Sequence, residues 1–167
     1  MRMLVLGAGL QGSACAYDLL QNPEVTEVRL ADVHLEPHPE FLAPYSGPRL
    51  VPTHVDVRDH AAVLALMRES DAAMSAIPYY FNLGLATLAV EAGTHFCDLG
   101  GNTEIVFQQK ELDAAARAKH ITVVPDCVRA PGMVDILAQE DLAHLGTVRA
   151  VKIYVGGLPQ HPEPPLN

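Results

Sequence analysis

Three glycines near the start of the chain have the spacing of a loop that binds a dinucleotide. Gly7, Gly9 and Gly12 form the pattern GxGxxG, which follows a short apolar run and opens a stretch with apolar residues at helical spacing. In such a loop the first glycine makes a tight turn, the second lets a pyrophosphate approach the backbone, and the third lets helix and strand pack closely. We expect these glycines, with Leu10 and Gln11 between them, to hold a pyrophosphate at a helix N-terminus. A glycine-rich turn without a ligand is the alternative.

An acidic residue at the end of the second predicted strand indicates which dinucleotide is bound. Asp32 ends the stretch VTEVRLAD, about twenty positions beyond the glycines, as the fingerprint requires. A carboxylate there accepts both ribose hydroxyls of NAD and repels the 2′-phosphate of NADP. The adjoining VHLEPH, which begins with Val33, contains no Arg or Lys to bind that phosphate. We therefore predict NAD as the cofactor, with NADP less favoured and Val33 beside it. The alternative for Asp32 is a carboxylate that only caps the surface.

The ends of the next two predicted strands supply further candidates. Asp56 and Val57, which end LVPTHVDV, are placed to flank the adenine, although a solvated strand end explains them equally well. Ligands of doubly wound sheets bind beyond the carboxyl ends of the strands, so Pro78, Tyr79 and Tyr80, in the stretch SAIPYYFN, are expected to line the nicotinamide side. The cofactor-binding residues predicted in that stretch are Ser75, Ile77, Pro78 and Asn82.

Tyr79 and Asp98 are the catalytic candidates. Tyr79 has a hydroxyl that can hydrogen-bond the substrate or transfer a proton, although an ordinary tyrosine pKa near ~10 makes it a poor base unless it is tuned. The alternative is that Tyr79 and Tyr80 pack under a loop. Asp98 ends the fifth predicted strand, where it can hold an amine, orient a water or serve only the structure.

The residues after Asp98 also have two interpretations. Gly100 and Gly101 let the backbone come close to a ligand or to another chain segment. Asn102 either faces the site or caps the next helix. Further along, APGM is predicted to begin a helix whose N–H groups point into the cleft.

Strands and helices are predicted to alternate along most of the chain. That alternation indicates an α/β fold, a doubly wound parallel sheet of the Rossmann type. Prolines between residues 37 and 52 leave room for at most one short turn where a helix is usual. We expect NTEIVFQQKELDAAARAKH to form one helix and VRAVKIYVGG a last strand. The predicted dinucleotide-binding domain covers residues 1–147, and residues 148–167 begin a second, substrate-binding domain that is otherwise missing.

Composition excludes several classes of partner. The 167 residues carry a net charge of −9 without a cluster of Lys and Arg, which argues against nucleic acid and anionic membranes. The apolar runs are shorter than a membrane span, and the start lacks a signal-peptide pattern, so we expect a cytoplasmic protein. Cys15, Cys97 and Cys127 have no spacing typical of a disulfide framework or zinc site, and no metal is predicted. Hydride transfer needs no covalent nucleophile, so Cys127 is not expected to be one.

Four stretches in order make the sequence more specific than the glycine pattern. They are VLGAGLQGSACAYDLL, SAIPYYFN, HFCDLGGNTEIV and VVPDCVRAPGM. Together they resemble the saccharopine dehydrogenase-like family, in particular its saccharopine reductase and lysine 6-dehydrogenase branches, from the first strand to YVGGLP. The sequence departs from that family at Val128 and Arg129, where Gly-Leu is usual, and in its proline-rich stretch.

The resemblance implies an NAD(P)-dependent oxidoreductase of lysine metabolism that acts on a C–N bond of an amino acid. It implies hydride transfer from an amine-bearing carbon to C4 of the nicotinamide, giving an imine that water hydrolyses. It also implies a homodimer whose second domain supplies most of the substrate pocket. Two alternatives stay open at this point: a nucleotide-binding module without catalysis, and a dehydrogenase of carboxylated polyamines.

Overall fold

The computed structural model describes residues 1–34, 39–45, 47–127 and 132–154. The chain forms two compact units, Met1–Cys127 and Val128–Asn167. Each unit is described by itself, and the domain boundary expected at residue 147 stays a prediction.

The first unit alternates strands and helices, as the sequence predicts. Its strands are β1 (Arg2–Leu6), β2 (Glu27–Asp32), β3 (Leu50–His54), β4 (Ala72–Ser75), β5 (His95–Asp98) and β6 (Val123–Val124). Its α-helices are α1 (Leu10–Gln21), α2 (His60–Arg68), α3 (Asn82–Ala92), α4 (Thr103–Lys110) and α5 (Asp113–Ala118). Two 3₁₀ helices cover Glu40–Tyr45 and Tyr79–Phe81.

All six strands are parallel and lie in the order β3-β2-β1-β4-β5-β6. This is the doubly wound Rossmann order, so the predicted fold class is confirmed. The chain leaves β1 toward one edge of the sheet and leaves β4 toward the other, although the two strands are neighbours. The loops after β1 and β4 therefore diverge and leave a crevice at the carboxyl ends of the strands.

The central strand β1 divides the core into two layers. Its side chains alternate between the faces of the sheet, so Leu4 and Leu6 pack with α2 and α3 while Val5 packs with α1. All three side chains are fully buried. A run of consecutive apolar residues is what a strand covered on both faces requires.

The proline-rich stretch contains a short 3₁₀ helix in the part that the structure describes. Glu40–Tyr45 docks on α1, where the Tyr17 ring makes edge-on contacts with the rings of Phe41 and Tyr45 at 5.8 and 5.4 Å. Leu42 is buried beneath it. Aromatic packing thus covers this face of the sheet in place of a longer helix.

Two expectations about secondary structure are wrong. The predicted single helix after β5 is broken between α4 and α5, where Leu112 turns inward and packs against two apolar clusters. The predicted last strand is absent over residues 148–154, the part of VRAVKIYVGG that the structure describes. A strand is stabilised by its ladder partner, and no described segment pairs with these residues.

The second unit contains helix α6, Met133–Ala143. Its first turn is fixed by Asp135, whose Oδ2 accepts the N–H of Gly132 at 3.0 Å. Whether the N–H groups at its start point into a cleft stays a prediction, and Arg129 and Pro131 lie outside the described residues. Over the described ranges, no helix combines the length and apolar character needed to cross a membrane.

Candidate dinucleotide site

Two of the three glycines in the loop after β1, Gly7 and Gly12, are required by backbone conformation or by close packing. Gly7 has φ +104°, and a Cβ there would lie 2.7 Å from the carbonyl oxygen of Ala76. A Cβ on Gly12 would lie only 1.8 Å from the carbonyl oxygen of Gly7. Gly7 is therefore needed for the turn, and Gly12 for the close packing of α1 on the loop.

Gly9 differs because neither conformation nor packing requires a glycine there. It precedes α1 with φ −68°, and nothing lies within 4 Å of the position that a Cβ would take. No side chain caps the helix, and the side chains of Leu10 and Gln11 are exposed. Open space beside uncapped N–H groups at the positive end of a helix suits a phosphate.

Asp32 connects the end of β2 to the glycine loop. Its Oδ2 accepts the N–H of Ala8 at 2.7 Å, and its Oδ1 accepts the N–H of His34 at 2.9 Å. The carboxylate is thereby held at the crevice with a lone pair left on each oxygen. That geometry leaves it able to accept two ribose hydroxyls.

A cleft of about 290 Å³ opens beside Asp32 at the carboxyl ends of β1, β2, β3 and β4. Its lining includes most of the predicted residues from these strand ends. They are Gly7, Asp32, Val33, Asp56, Val57, Ile77 and Pro78, joined by Ala31, Val55, Arg58 and Phe81. The lining is mainly apolar with a few charged groups, which is typical of a small-molecule site.

Four lining residues, Ala31, Val55, Arg58 and Phe81, are not among the predicted ones. Of these, Arg58 supplies a charge and Phe81 an aromatic ring. Phe81 lies in SAIPYYFN, directly after two tyrosines whose hydroxyls are the clearer chemical signal. Arg58 directly follows Val57, but the sequence alone gives no sign that a residue after β3 lies near the end of β2. It became a cleft residue because β3 pairs with β2.

The Arg58 guanidinium forms a two-pronged ion pair with Asp56. Its Nε lies 2.9 Å from Oδ1 and its Nη2 lies 2.6 Å from Oδ2. The Arg58 backbone N–H also donates to Oδ1 at 3.0 Å. The side-chain hydrogen bonds from Arg58, more than any other cause, lower the pKa of Asp56 to about 2. Asp56 is therefore ionised at any working pH.

Ser75 and Asn82 are buried below the crevice and bond to each other. The Ser75 hydroxyl donates to Asn82 Oδ1 at 2.8 Å, which ties the end of β4 to the start of α3. Both residues are almost inaccessible. Their predicted contact with cofactor stays a prediction, and the observed bond gives them a positioning role.

Tyr79 begins the short 3₁₀ helix that follows β4. Its side chain is exposed and stacks edge-on with Tyr80 at 5.7 Å, and a Cβ on Gly101 would lie 3.2 Å from the Tyr79 Cβ. A Cβ on Gly100 would lie 1.6 Å from Asp126 Oδ1. The two glycines therefore let other chain segments approach, while Asn102 caps α4 by accepting the N–H of Ile105. Proton transfer by Tyr79 stays a prediction.

Asp98 is fully buried and organises the loops after β5 and β6. Its Oδ1 accepts the N–H groups of Gly100 at 2.7 Å and Asp126 at 3.1 Å. Its Oδ2 accepts from Gln109 Nε2 at 2.6 Å. A carboxylate held in this way positions backbone, and the catalytic role expected for Asp98 stays untested.

Replacing Asp98 with alanine is expected to destabilise the first unit by about 3 kcal/mol or more. The change leaves two backbone N–H groups and the Gln109 amide without an acceptor. Asp98→Asn is the matched control. It retains an acceptor for the N–H groups, and Gln109 can turn its unpaired Oε1 toward the new amide. Urea unfolding tests both variants. A domain that tolerates alanine as well as asparagine would contradict this role.

Cys15, Cys97 and Cys127 are free thiols. Burial, the largest cause, raises the pKa of Cys97 to about 12 and that of Cys15 to about 11. Burial and the charges of Asp98 and Asp126 also raise the pKa of Cys127. Each therefore carries little thiolate near neutral pH.

We expect the folded chain to react slowly with a thiol reagent such as DTNB at neutral pH. Cys127 should react first because it is exposed, and Cys97 more than about tenfold slower than a free thiol. The rates should rise with pH and become ordinary in urea. Mass spectrometry of partly labelled chain identifies the site, and one thiol labelled at once at neutral pH would contradict the expectation.

A larger hollow of about 590 Å³ lies between α4, α5 and the segment around β6. None of its lining residues comes from the glycine loop or from the ends of β1 to β4. Nothing there matches the phosphate-binding features at the start of α1. We therefore assign the dinucleotide site to the smaller cleft.

The sheet order, the glycine loop and Asp32 define a Rossmann dinucleotide-binding domain. Residues 3–124 match the family model described as the saccharopine dehydrogenase NADP binding domain. The chain belongs to that family, and its first unit is a nicotinamide dinucleotide-binding domain.

Solved structures share the fold at low sequence identity. A saccharopine dehydrogenase (L-Glu forming) from Saccharomyces cerevisiae superposes with a TM-score of 0.68 at 22% identity, over 86% of this chain and 31% of the yeast chain. GenD2 from gentamicin A biosynthesis, solved with NAD, gives 0.56 at 16% identity, over 75% and 34%. A biliverdin reductase from Synechocystis, solved with biliverdin and NADP+, gives 0.55 at 16% identity, over 87% and 44%. The chain thus spans less than half the length of these proteins.

Proposed function

We propose that this chain is the cofactor-binding part of an NAD(P)-dependent oxidoreductase acting on the C–N bond of an amino acid. The observation that carries the proposal is the open space at Gly9, beside the uncapped start of α1, in a chain of the saccharopine dehydrogenase family. The bond class is supported by the yeast relative, which is named for saccharopine. GenD2 and the biliverdin reductase are named for other pathways or substrates, so the fold alone does not select the substrate.

The residues fit a nicotinamide dinucleotide along the crevice. The start of α1 would hold the pyrophosphate, Asp32 the adenosine ribose, and the apolar walls from Val33, Val57 and Phe81 the adenine. The bound cofactor supplies hydride acceptance from an amine-bearing carbon. This chain orients it and excludes water from the adenine end.

Cofactor preference depends on opposed charges in the cleft. Asp32 favours a free 2′-hydroxyl and so NAD, whereas the family description and Arg58 favour NADP. We also propose a homodimer, as the family resemblance implies, and a cytoplasmic location, which the three free thiols support.

The test uses the protein expressed from its own gene. This protein is incubated with oxidised NAD or NADP and with each member of a panel of amines. Lysine, saccharopine and carboxylated polyamines are the essential members, and absorbance of the reduced nicotinamide reports turnover. We expect reduction with an amino acid and an aldehyde or keto acid as the hydrolysed product. If only the carboxylated polyamines are oxidised, the proposed substrate class of amino acids is wrong and carboxylated polyamines replace it. Tight cofactor binding without oxidation of any amine would instead favour a nucleotide-binding module.

A further inference from the structure

The adenosine end of the cleft contains two carboxylates and one cation. Asp32 and Asp56 are the carboxylates, and Arg58 is the cation among the lining residues. A 2′-phosphate carries up to two negative charges, so it cannot approach these carboxylates without a cationic partner. Arg58 is the lining residue that can supply it.

Arg58 is held loosely enough to exchange partners. Its side chain is 76% exposed and its Asp56 partner 36% exposed, so the ion pair contributes little to stability. Arg29 provides a contrast within the same chain: it is 23% exposed and pairs with two carboxylates, Glu27 and Glu69. The Arg58 guanidinium can therefore leave Asp56 at small cost, whereas that of Arg29 is fixed.

The pairing of β2 with β3 brings Arg58 to the ribose side of the cleft. Asp32 is the register partner of His54, and the carbonyl of Asp32 accepts the N–H of Val55 at 3.1 Å. The loop that carries Arg58 therefore starts beside Asp32. A long side chain from this loop has the reach to meet a group on the ribose that Asp32 contacts.

We propose that Arg58 is a specificity-determining residue that admits the 2′-phosphate of NADP, and that Asp56 holds its guanidinium when the cofactor lacks that phosphate. This inference rests on the proposed binding of a nicotinamide dinucleotide. The planar guanidinium offers paired N–H donors to phosphate oxygens, as it does to the Asp56 carboxylate. Asp56 competes with the phosphate for the same donors, so the pair sets the balance between the two cofactors.

The experiment compares the affinities of NADH and NADPH in the intact chain and three variants. Arg58→Gln removes the cation, and Asp56→Asn removes its competitor. Arg117→Gln is the matched control, because Arg117 is equally exposed and pairs with Asp113 on α5, outside the cleft. Adenosine 2′,5′-bisphosphate and 5′-AMP are titrated as well, since they differ only in the 2′-phosphate. Urea unfolding checks that each variant is folded.

We expect Arg58→Gln to lower the affinity for NADPH and for adenosine 2′,5′-bisphosphate about tenfold. The affinities for NADH and 5′-AMP should change less than about twofold. Asp56→Asn should raise the affinity for NADPH relative to that for NADH. Added salt should reduce this preference for NADPH. Equal weakening of all four ligands by Arg58→Gln would overturn the proposal and make Arg58 an adenine contact. No change in any of them would leave Arg58 a surface ion pair and overturn it also. If the unsubstituted chain binds neither cofactor, the proposed function itself fails.

Discussion

Replacing Gly12 with alanine is expected to destabilise the domain by about 3 kcal/mol or more. The new methyl group would lie 1.8 Å from the Gly7 carbonyl oxygen and 3.3 Å from the Ala76 Cβ. The first contact is with backbone, which cannot move aside as a flexible side chain could. Relief requires α1 to shift away from β1, and this separates layers that bury Val5 and Ala16.

Urea unfolding followed by circular dichroism measures the effect. Gly84→Ala is the control, because Gly84 is exposed in α3 and nothing lies within 4 Å of its Cβ position. That substitution should stabilise the domain by about 0.5–1 kcal/mol through helix propensity. An unfolding midpoint for Gly12→Ala equal to that of the unsubstituted chain would show that the close approach is not needed.

Replacing Gly9 with alanine should, in contrast to Gly12→Ala, abolish most cofactor binding while the domain still folds. The backbone conformation at Gly9 suits any residue, and its Cβ position is open, so the cost in stability is about 0.5 kcal/mol from the weaker helix cap. The same methyl group would occupy the space that we assign to the pyrophosphate. Displacing a phosphate from helix N–H groups removes charge-assisted hydrogen bonds, so affinity for NADH and NADPH should fall about a hundredfold.

Titration by cofactor fluorescence and urea unfolding are made on the same protein sample. Gly84→Ala again controls for the added methyl group. A Gly9→Ala chain that binds as well as the parent would place the pyrophosphate elsewhere. One that unfolds like Gly12→Ala would mean that Gly9 is a structural glycine.

The glycine loop and the strand ends could be predicted from the sequence because both signals are local. GxGxxG after an apolar run determines a strand, a turn and a helix within about ten residues, and Asp32 follows at a fixed distance. Parallel strands then bring their carboxyl ends to one edge without further information. Asp32 and Val57 were found in this way.

The rest depended on contacts between distant parts of the chain. Arg58 is a cleft residue only because β3 lies beside β2. Asp98 resembled a site residue by its place at a strand end, but packing buried it against Gln109 and the loop before Cys127. No glycine or proline marks the helix break at Leu112, because the break results from tertiary packing of the Leu112 side chain.

The central claim is that the cleft beside Asp32 holds a nicotinamide dinucleotide, and one titration tests it most directly. The chain and its Asp32→Ala variant are titrated with NADH and NADPH by cofactor fluorescence. Asp71→Ala is the control, because Asp71 also accepts a backbone N–H, from Arg2, at the opposite end of the strands. We predict saturable binding of at least one cofactor, with NADH weakened about tenfold by Asp32→Ala and unchanged by Asp71→Ala. A folded chain that binds neither NADH nor NADPH would contradict the claim.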